Sequence, residues 1–235
     1  MNDLWKRLEA WAKKSGRTLR LRPGATEKAI ADAEKKMKLT FPADFRASLL
    51  LHDGQERKAA DDDSETSTLF EWMPGSGALA PLSAIVAQWK DERDNDEDDD
   101  EPAIEGGVYN VMTHPRRIPI AGTRWWDGDN TYLDLHPAPK GTAGQLITFT
   151  SECDVALLGT SFRAALESYV QALDAGDWVF DAKKGNVRAK NEKPDDFPHE
   201  GEEFAAYVKK HASGPKAAAP KKKPPAPKKK PPARR

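Results

Sequence analysis

Five histidines, one cysteine and a cluster of aspartates are the residues of this 235-residue chain best suited to chemistry. Their spacing decides which chemistry is open to them. His52, His114, His136, His199 and His211 form no His-x-x-x-His pair and have no acid at a motif offset, which predicts structural or surface roles rather than a metal site. His114 and His136 each precede proline, which favours extended loop backbone. Cys153 is alone, so no intramolecular disulfide and no multi-cysteine metal site can form, and a catalytic thiol would need a positioned base. It reads as a small packing residue. Asp127-Gly128-Asp129-Asn130-Thr131 opens like a calcium loop. Such a loop needs Gly at its sixth position and Glu at its twelfth, and Tyr132 and Ala138 stand there instead. The segment reads as a turn between strands. No metal and no cofactor are expected.

Two isolated carboxylates remain. Asp134 lies between Leu133 and Leu135, and period-two alternation puts it on the sheet face opposite both leucines. General acid catalysis needs a second group in reach, and none is evident, so a hydrogen-bonded structural role is expected. Glu34, between Ala33 and Met37, has the same reading. Gly141-x-x-Gly144 lacks the Gly-Lys-Ser/Thr of a phosphate loop and leads into a strand.

The adjacent Trp125 and Trp126 beside Asp127 and Asp129 are a different matter. Neighbouring residues on a strand or turn point to opposite sides. One indole can therefore pack while the other is exposed, and exposed tryptophan is enriched at interface hot spots. Plain packing is the competing reading. With Trp72, these four residues make up the expected partner-contact set.

The elements that must position these groups follow from hydrophobic periodicity. Leu4, Trp5, Leu8, Trp11 and Ala12 mark one face of a helix that Gly16 ends. Leu19 and Leu21 alternate with arginine as a short strand. Thr26 caps a second helix with Ile30, Ala33 and Met37 inward, and Pro42 opens a third with Phe45, Leu49 and Leu50 inward. Leu69 to Met73 reads as a strand, and Leu82, Ile85, Val86 and Trp89 as a fourth helix. Strands follow at Val108 to Met112, Ile118 to Ala121, Thr131 to Leu135 and Gln145 to Thr150. The longest helical pattern runs from Phe162 to Leu173, capped by Ser161 and ended by Gly176, before a last strand over Trp178 to Phe180. Helices first, then strands, then a helix give an α+β fold rather than alternating βαβ units.

Charge divides the chain. Residues 215–235 hold nine Lys/Arg and seven prolines with no acid and no large apolar side chain, leaving 28 basic against 38 acidic residues before them, a net of −10. The tail has nothing to bury and is expected to be extended and disordered. Residues 91–101 carry nine acids and Arg93. They read either as a solvated loop or as a steering surface for a basic partner. No apolar run approaches the ~20 residues of a membrane helix, and the charged start Met-Asn-Asp-Leu-Trp-Lys-Arg does not suit a secretory signal. A cytoplasmic location without membrane contact is expected.

Four segments, in this order, resemble the Smi1/Knr4 (SUKH) family. They are Pro23-Gly24-Ala25-Thr26-Glu27 through Phe41-Pro42-Ala43-Asp44-Phe45; His52-Asp53-Gly54-Gln55; Ile118-Pro119-Ile120-Ala121 with Leu133-Asp134-Leu135-His136-Pro137; and Gly141-Thr142-Ala143-Gly144-Gln145 with Ser161-Phe162. Where family members often carry Trp-x-x-x-Trp, this chain has Thr113-His114-Pro115-Arg116-Arg117. The resemblance implies one α+β SUKH-like domain over 1–182, with an antiparallel sheet packed by helices. A charged extension with a short helix would follow over 183–212, then the disordered tail over 213–235. It implies a non-catalytic protein-binding role without a small-molecule substrate. The leading reading is an immunity-type protein that neutralises a basic toxin by direct binding. The alternative is a regulatory scaffold of the cell-wall or signalling type, whose basic tail contacts nucleic acid or acidic partners.

Overall fold

Alternating apolar residues on both faces of the central strands place the sheet inside the molecule, between two packed layers. The structure is a computed structural model, and it describes residues 1–59, 67–93, 103–104, 107–111, 113–123, 126, 129–149, 155–191 and 200–211. In chain order the elements are α1 (Asn2–Lys14), α2 (Glu27–Met37), α3 (Ala43–Leu49), β1 (Ala78–Leu79), α4 (Leu82–Arg93), β2 (Ala103–Ile104), β3 (Val108–Tyr109) and β4 (Arg117–Gly122). Then come β5 (Asn130–Asp134), β6 (Gln145–Phe149), β7 (Val155–Gly159), α5 (Phe162–Ala175), β8 (Trp178–Asp181), β9 (Asn186–Ala189) and α6 (Glu200–His211).

The main sheet has the order β1-β4-β5-β6-β7 and is antiparallel throughout. Ile118, Ile120, Leu133, Leu146 and Leu158 face the main core, where they meet residues from all the helices. Tyr132, Ile147, Phe149 and Val155 face the other way and join Val108 in a second cluster. The expected α+β architecture is therefore present, with the sheet covered on both sides.

Local chemistry explains the helix ends. The Thr26 hydroxyl accepts from Ala29 N–H at 3.1 Å, and the Ser161 hydroxyl from Ala164 N–H at 3.1 Å, each satisfying a donor that the first turn leaves open. Gly176 closes α5 in the left-handed conformation. Outside the sheet, α1 is fixed by indole hydrogen bonds, Trp5 Nε1 to Ser48 Oγ at 3.0 Å and Trp11 Nε1 to Asp174 Oδ1 at 2.7 Å.

Several expectations are corrected. Leu69 to Met73 is not a strand; only Leu69 forms a bridge, to Thr18, and the Leu19–Leu21 stretch contributes a single bridge from Leu21 to Gln55. A side chain takes the place of a ladder there. Buried Gln55 donates from Nε2 to the carbonyls of Leu19 (2.8 Å) and Phe70 (3.1 Å), and its Oε1 accepts from Leu79 N–H at 3.0 Å. Its neighbour Asp53 accepts from Leu82 N–H at 2.7 Å and so caps α4. Gly54, at φ +75°, lies so close to Ala80 and Pro81 that a Cβ would sit 2.6 Å from backbone atoms. Strands β1, β2, β7 and β9 had no counterpart among the expected strands. The boundary expected at 182 falls inside the β8–β9 hairpin, and Phe204 and Ala205 of α6 share the main core. Of the acidic run, Asp91 to Arg93 complete α4; residues 94–101, Cys153 and the tail from 212 lie outside the described residues.

Candidate partner-binding surface

On the second sheet face, strand register lines up Arg117 (β4), Asp134 (β5) and Gln145 (β6) as direct cross-strand neighbours. The Arg117 and Asp134 side chains are 1% and 0% exposed, with Arg117 Nε 3.7 Å from Asp134 Oδ1. Burying two charges costs several kcal/mol per ion unless each is paired and hydrogen-bonded, and here they are. Arg117 donates to the carbonyls of Val111 and Tyr109, the latter at 2.8 Å. Asp134 accepts from Gln145 Nε2 at 2.9 Å and from His136 N–H at 2.9 Å. Gln145 also donates to Gly107 O at 3.1 Å and accepts from Thr142 N–H at 3.0 Å. The bonds to Val111, His136, Gly107 and Thr142 end on loops, that to Tyr109 ends on β3, and that between Gln145 and Asp134 joins two strands of the row. The row acts as a brace that fixes the segments 107–111 and 134–145, which gives Asp134 the structural role expected of it.

Two features lie over the braced loops. His114 and His136 stack at 4.0 Å between ring centroids with a 10° interplanar angle, and Tyr109 stacks on His136 at 5.4 Å. His114 Nδ1 accepts from Arg116 N–H at 3.0 Å, which leaves its proton on Nε2 when the ring is neutral. Beside them runs a groove of about 450 Å³ lined by Lys38, Leu39, Thr40, Arg116, Leu135 and Ala143. Three elements of local geometry shape it. Lys38 ends α2 in the left-handed conformation at φ 56°. Gly144, at φ +88°, lies against Pro42, which a Cβ would approach to 2.9 Å. Leu135 N–H donates to Arg116 O at 3.0 Å, tying the end of β5 to the start of β4.

Of the expected contact set, the described members Trp72, Trp126 and Asp129 do not line this groove. Trp72 is 0% exposed and stacks on Phe162 at 5.6 Å, so its ring offers no face to a partner. Trp126 is half-buried, packs on the main core and has φ +55°. Its ring lies across Gly122, where a Cβ would come within 2.8 Å of Cε3. Asp129 is half-buried, and Trp125 and Asp127 lie outside the described residues. The groove residues escaped the sequence reading. The available signal was positional, because Lys38–Thr40, Arg116, Leu135 and Ala143 each sit inside or directly beside a motif segment.

Two buried carboxyl groups lie elsewhere. Burial pushes the Glu71 carboxyl up to about 8, with nearby Glu200 adding to the rise and the Val187 N–H, 3.2 Å away, opposing it. Burial also raises Glu92, against hydrogen bonds from Gln88 at 2.9 Å and Tyr132 at 3.1 Å. Neither lines the groove. Among the described residues no helix is long and apolar enough to cross a membrane.

An antiparallel sheet packed by helices, with a buried polar row bracing the segments beside an open groove, defines an α+β domain. The chain belongs to the SMI1 / KNR4 family (SUKH-1), whose family model matches residues 24–168. It is 27% identical over 219 residues to a glucan synthesis regulatory protein of Neurospora crassa, covering 78% of this chain and 40% of that protein. It is 28% identical over 204 residues to the cell wall biosynthesis/cell cycle regulator smi1 of Schizosaccharomyces pombe, covering 80% of this chain and 39% of that one. It is 25% identical over 212 residues to the cell wall assembly regulator SMI1 of Saccharomyces cerevisiae, covering 74% and 40%. The chain thus spans about two fifths of the length of these curated relatives.

Proposed function

We propose that this chain is a regulatory protein-binding domain of the cell-wall type, which acts by docking onto a protein partner rather than by turning over a substrate. The observation that carries the reading is the similarity, over 74–80% of the chain, to proteins named as regulators of wall synthesis and assembly. The toxin-neutralising reading gives way to it, since none of these relatives' names speaks of immunity. The buried Arg117–Asp134–Gln145 row supports a binding role, because its polar groups are occupied in holding loops. In this reading the Lys/Pro-rich segment 213–235 is a second, electrostatic contact for acidic partners or nucleic acid.

The test is a chimera in which this chain replaces the matched segment of the Schizosaccharomyces pombe regulator, in cells lacking the native protein. Restored glucan incorporation is the expected result. A chimera that accumulates and melts cooperatively yet leaves the wall defect untouched would overturn the proposal.

A further inference from the structure

We infer that the groove at Lys38 and Arg116 is the docking site for a partner segment that mixes carboxylate and aliphatic side chains. The inference rests on the regulatory binding role proposed above and gives it a place and a chemistry.

Charge is the first argument. Residues 1–214 carry a net of −10, and several surface cations are neutralised within the fold, as Arg7 is by Asp174, Lys28 by Asp32 and Arg46 by Glu27 and Glu34. Lys38 and Arg116 are both exposed, and neither forms an ion pair with a described residue. Both line the same groove. Two unneutralised cations converging on one concavity of an acidic domain complement an anionic ligand.

The floor narrows the choice. Leu39 and Leu135 are half-buried and continuous with the main core, and Ala143 and the Thr40 hydroxyl complete the lining. An aliphatic floor of this size accepts one or two apolar side chains. Single-stranded nucleic acid needs aromatic platforms and a basic track along its backbone, and none of the six lining residues is aromatic. An acidic, leucine-bearing peptide matches both the cations and the floor.

The third argument is convergence. The groove draws on the α2–α3 connection, the approach to β4, the end of β5 and the turn before β6, three of them inside segments that carry the family resemblance. The buried row and the Gly144–Pro42 contact hold the 134–145 walls in place. A preformed site loses little conformational freedom on binding.

The test uses the full chain, its Lys38→Glu/Arg116→Glu variant and fluorescence anisotropy with a labelled peptide of alternating Glu and Leu. A Lys/Leu peptide and a labelled oligo-dT strand serve as comparison probes. The expected result is saturable binding of the Glu/Leu peptide, weakened about tenfold or more in the double variant, with an unchanged melting temperature because both side chains are exposed. Amide NMR shifts should concentrate at residues 38–40, 116, 135 and 143. Binding that survives the double variant unchanged would place the acidic ligand on the basic tail and overturn the inference. So would preference for the Lys/Leu peptide or oligo-dT, or no peptide binding at all. If the chimera restores wall synthesis while the Glu/Leu peptide fails to bind, the regulatory role stands and the docking site lies elsewhere; if the chimera fails as well, both fall.

Discussion

Asp44 reaches across 119 positions of sequence to accept the backbone N–H of Arg163 at 2.8 Å, while its other carboxylate oxygen accepts from Phe45 N–H at 2.9 Å. One side chain thus serves the first turns of both α3 and α5, where a negative charge also meets the positive end of the α5 dipole. Asp44→Ala is expected to lower stability by about 1–2 kcal/mol, and Asp44→Asn by less, as read from urea unfolding midpoints.

Gln55 gives a larger expected effect. Gln55→Leu fills similar space but strands the Leu19 and Phe70 carbonyls and the Leu79 N–H. Each buried unsatisfied group costs roughly 1–3 kcal/mol, so a loss of about 3 kcal/mol or more is expected by the same titration. Gln55→Glu is expected to be destabilising too, because a carboxylate cannot donate to two carbonyls.

The buried pair calls for a double-mutant cycle. Arg117→Met or Asp134→Leu alone leaves a buried charge without its counter-ion and is expected to cost about 3–5 kcal/mol. The double variant is expected to cost clearly less than the sum of the two. Strict additivity in chemical denaturation would show that Arg117 and Asp134 do not act as a unit.

Stability should depend on pH through Glu71. Although the residue as a whole is only half-buried, the crowding around its carboxyl raises it from 4.5 to about 8. Between those values the folded protein holds a proton that the unfolded chain releases. Stability from this group is therefore full below pH 4.5, falls as pH rises toward 8 and is lost above it, with a slope of at most about 1.4 kcal/mol per pH unit. Glu71→Gln is expected to flatten this contribution, so that the variant gains on the native protein as pH rises. Parallel unfolding curves for the two proteins across the whole window would contradict the assignment.

The helices were legible because their signals are local. The run Phe162, Ala165, Leu166, Tyr169, Val170 and Leu173 sets the buried face of α5, and Thr26, Ser161 and Gly176 mark ends that the structure confirms. Strand β7 was not legible, since Val155-Ala-Leu-Leu-Gly159 shows no alternation even though it packs on both sheet faces. Leu69 to Met73 misled for the opposite reason. It has strand-like composition, but its carbonyl at Phe70 is satisfied by a distant side chain rather than by a neighbouring strand. Trp72 shows the limit for aromatic residues, where composition alone does not separate a core ring from a contact ring. The groove was out of reach because it exists only once four separate loops have been brought together.

Lys38 has a consequence for how sequences of this domain diverge. It occupies a left-handed helix end at φ 56°, a position where glycine or asparagine is at ease and most other residues cost on the order of 1 kcal/mol. A library sorted only for heat resistance would therefore enrich Lys38→Gly and Lys38→Asn. The same variants remove one of the two cations of the groove, so the sturdier proteins would be the poorer binders. Engineering this domain for robustness and engineering it for recognition pull in opposite directions at a single backbone angle.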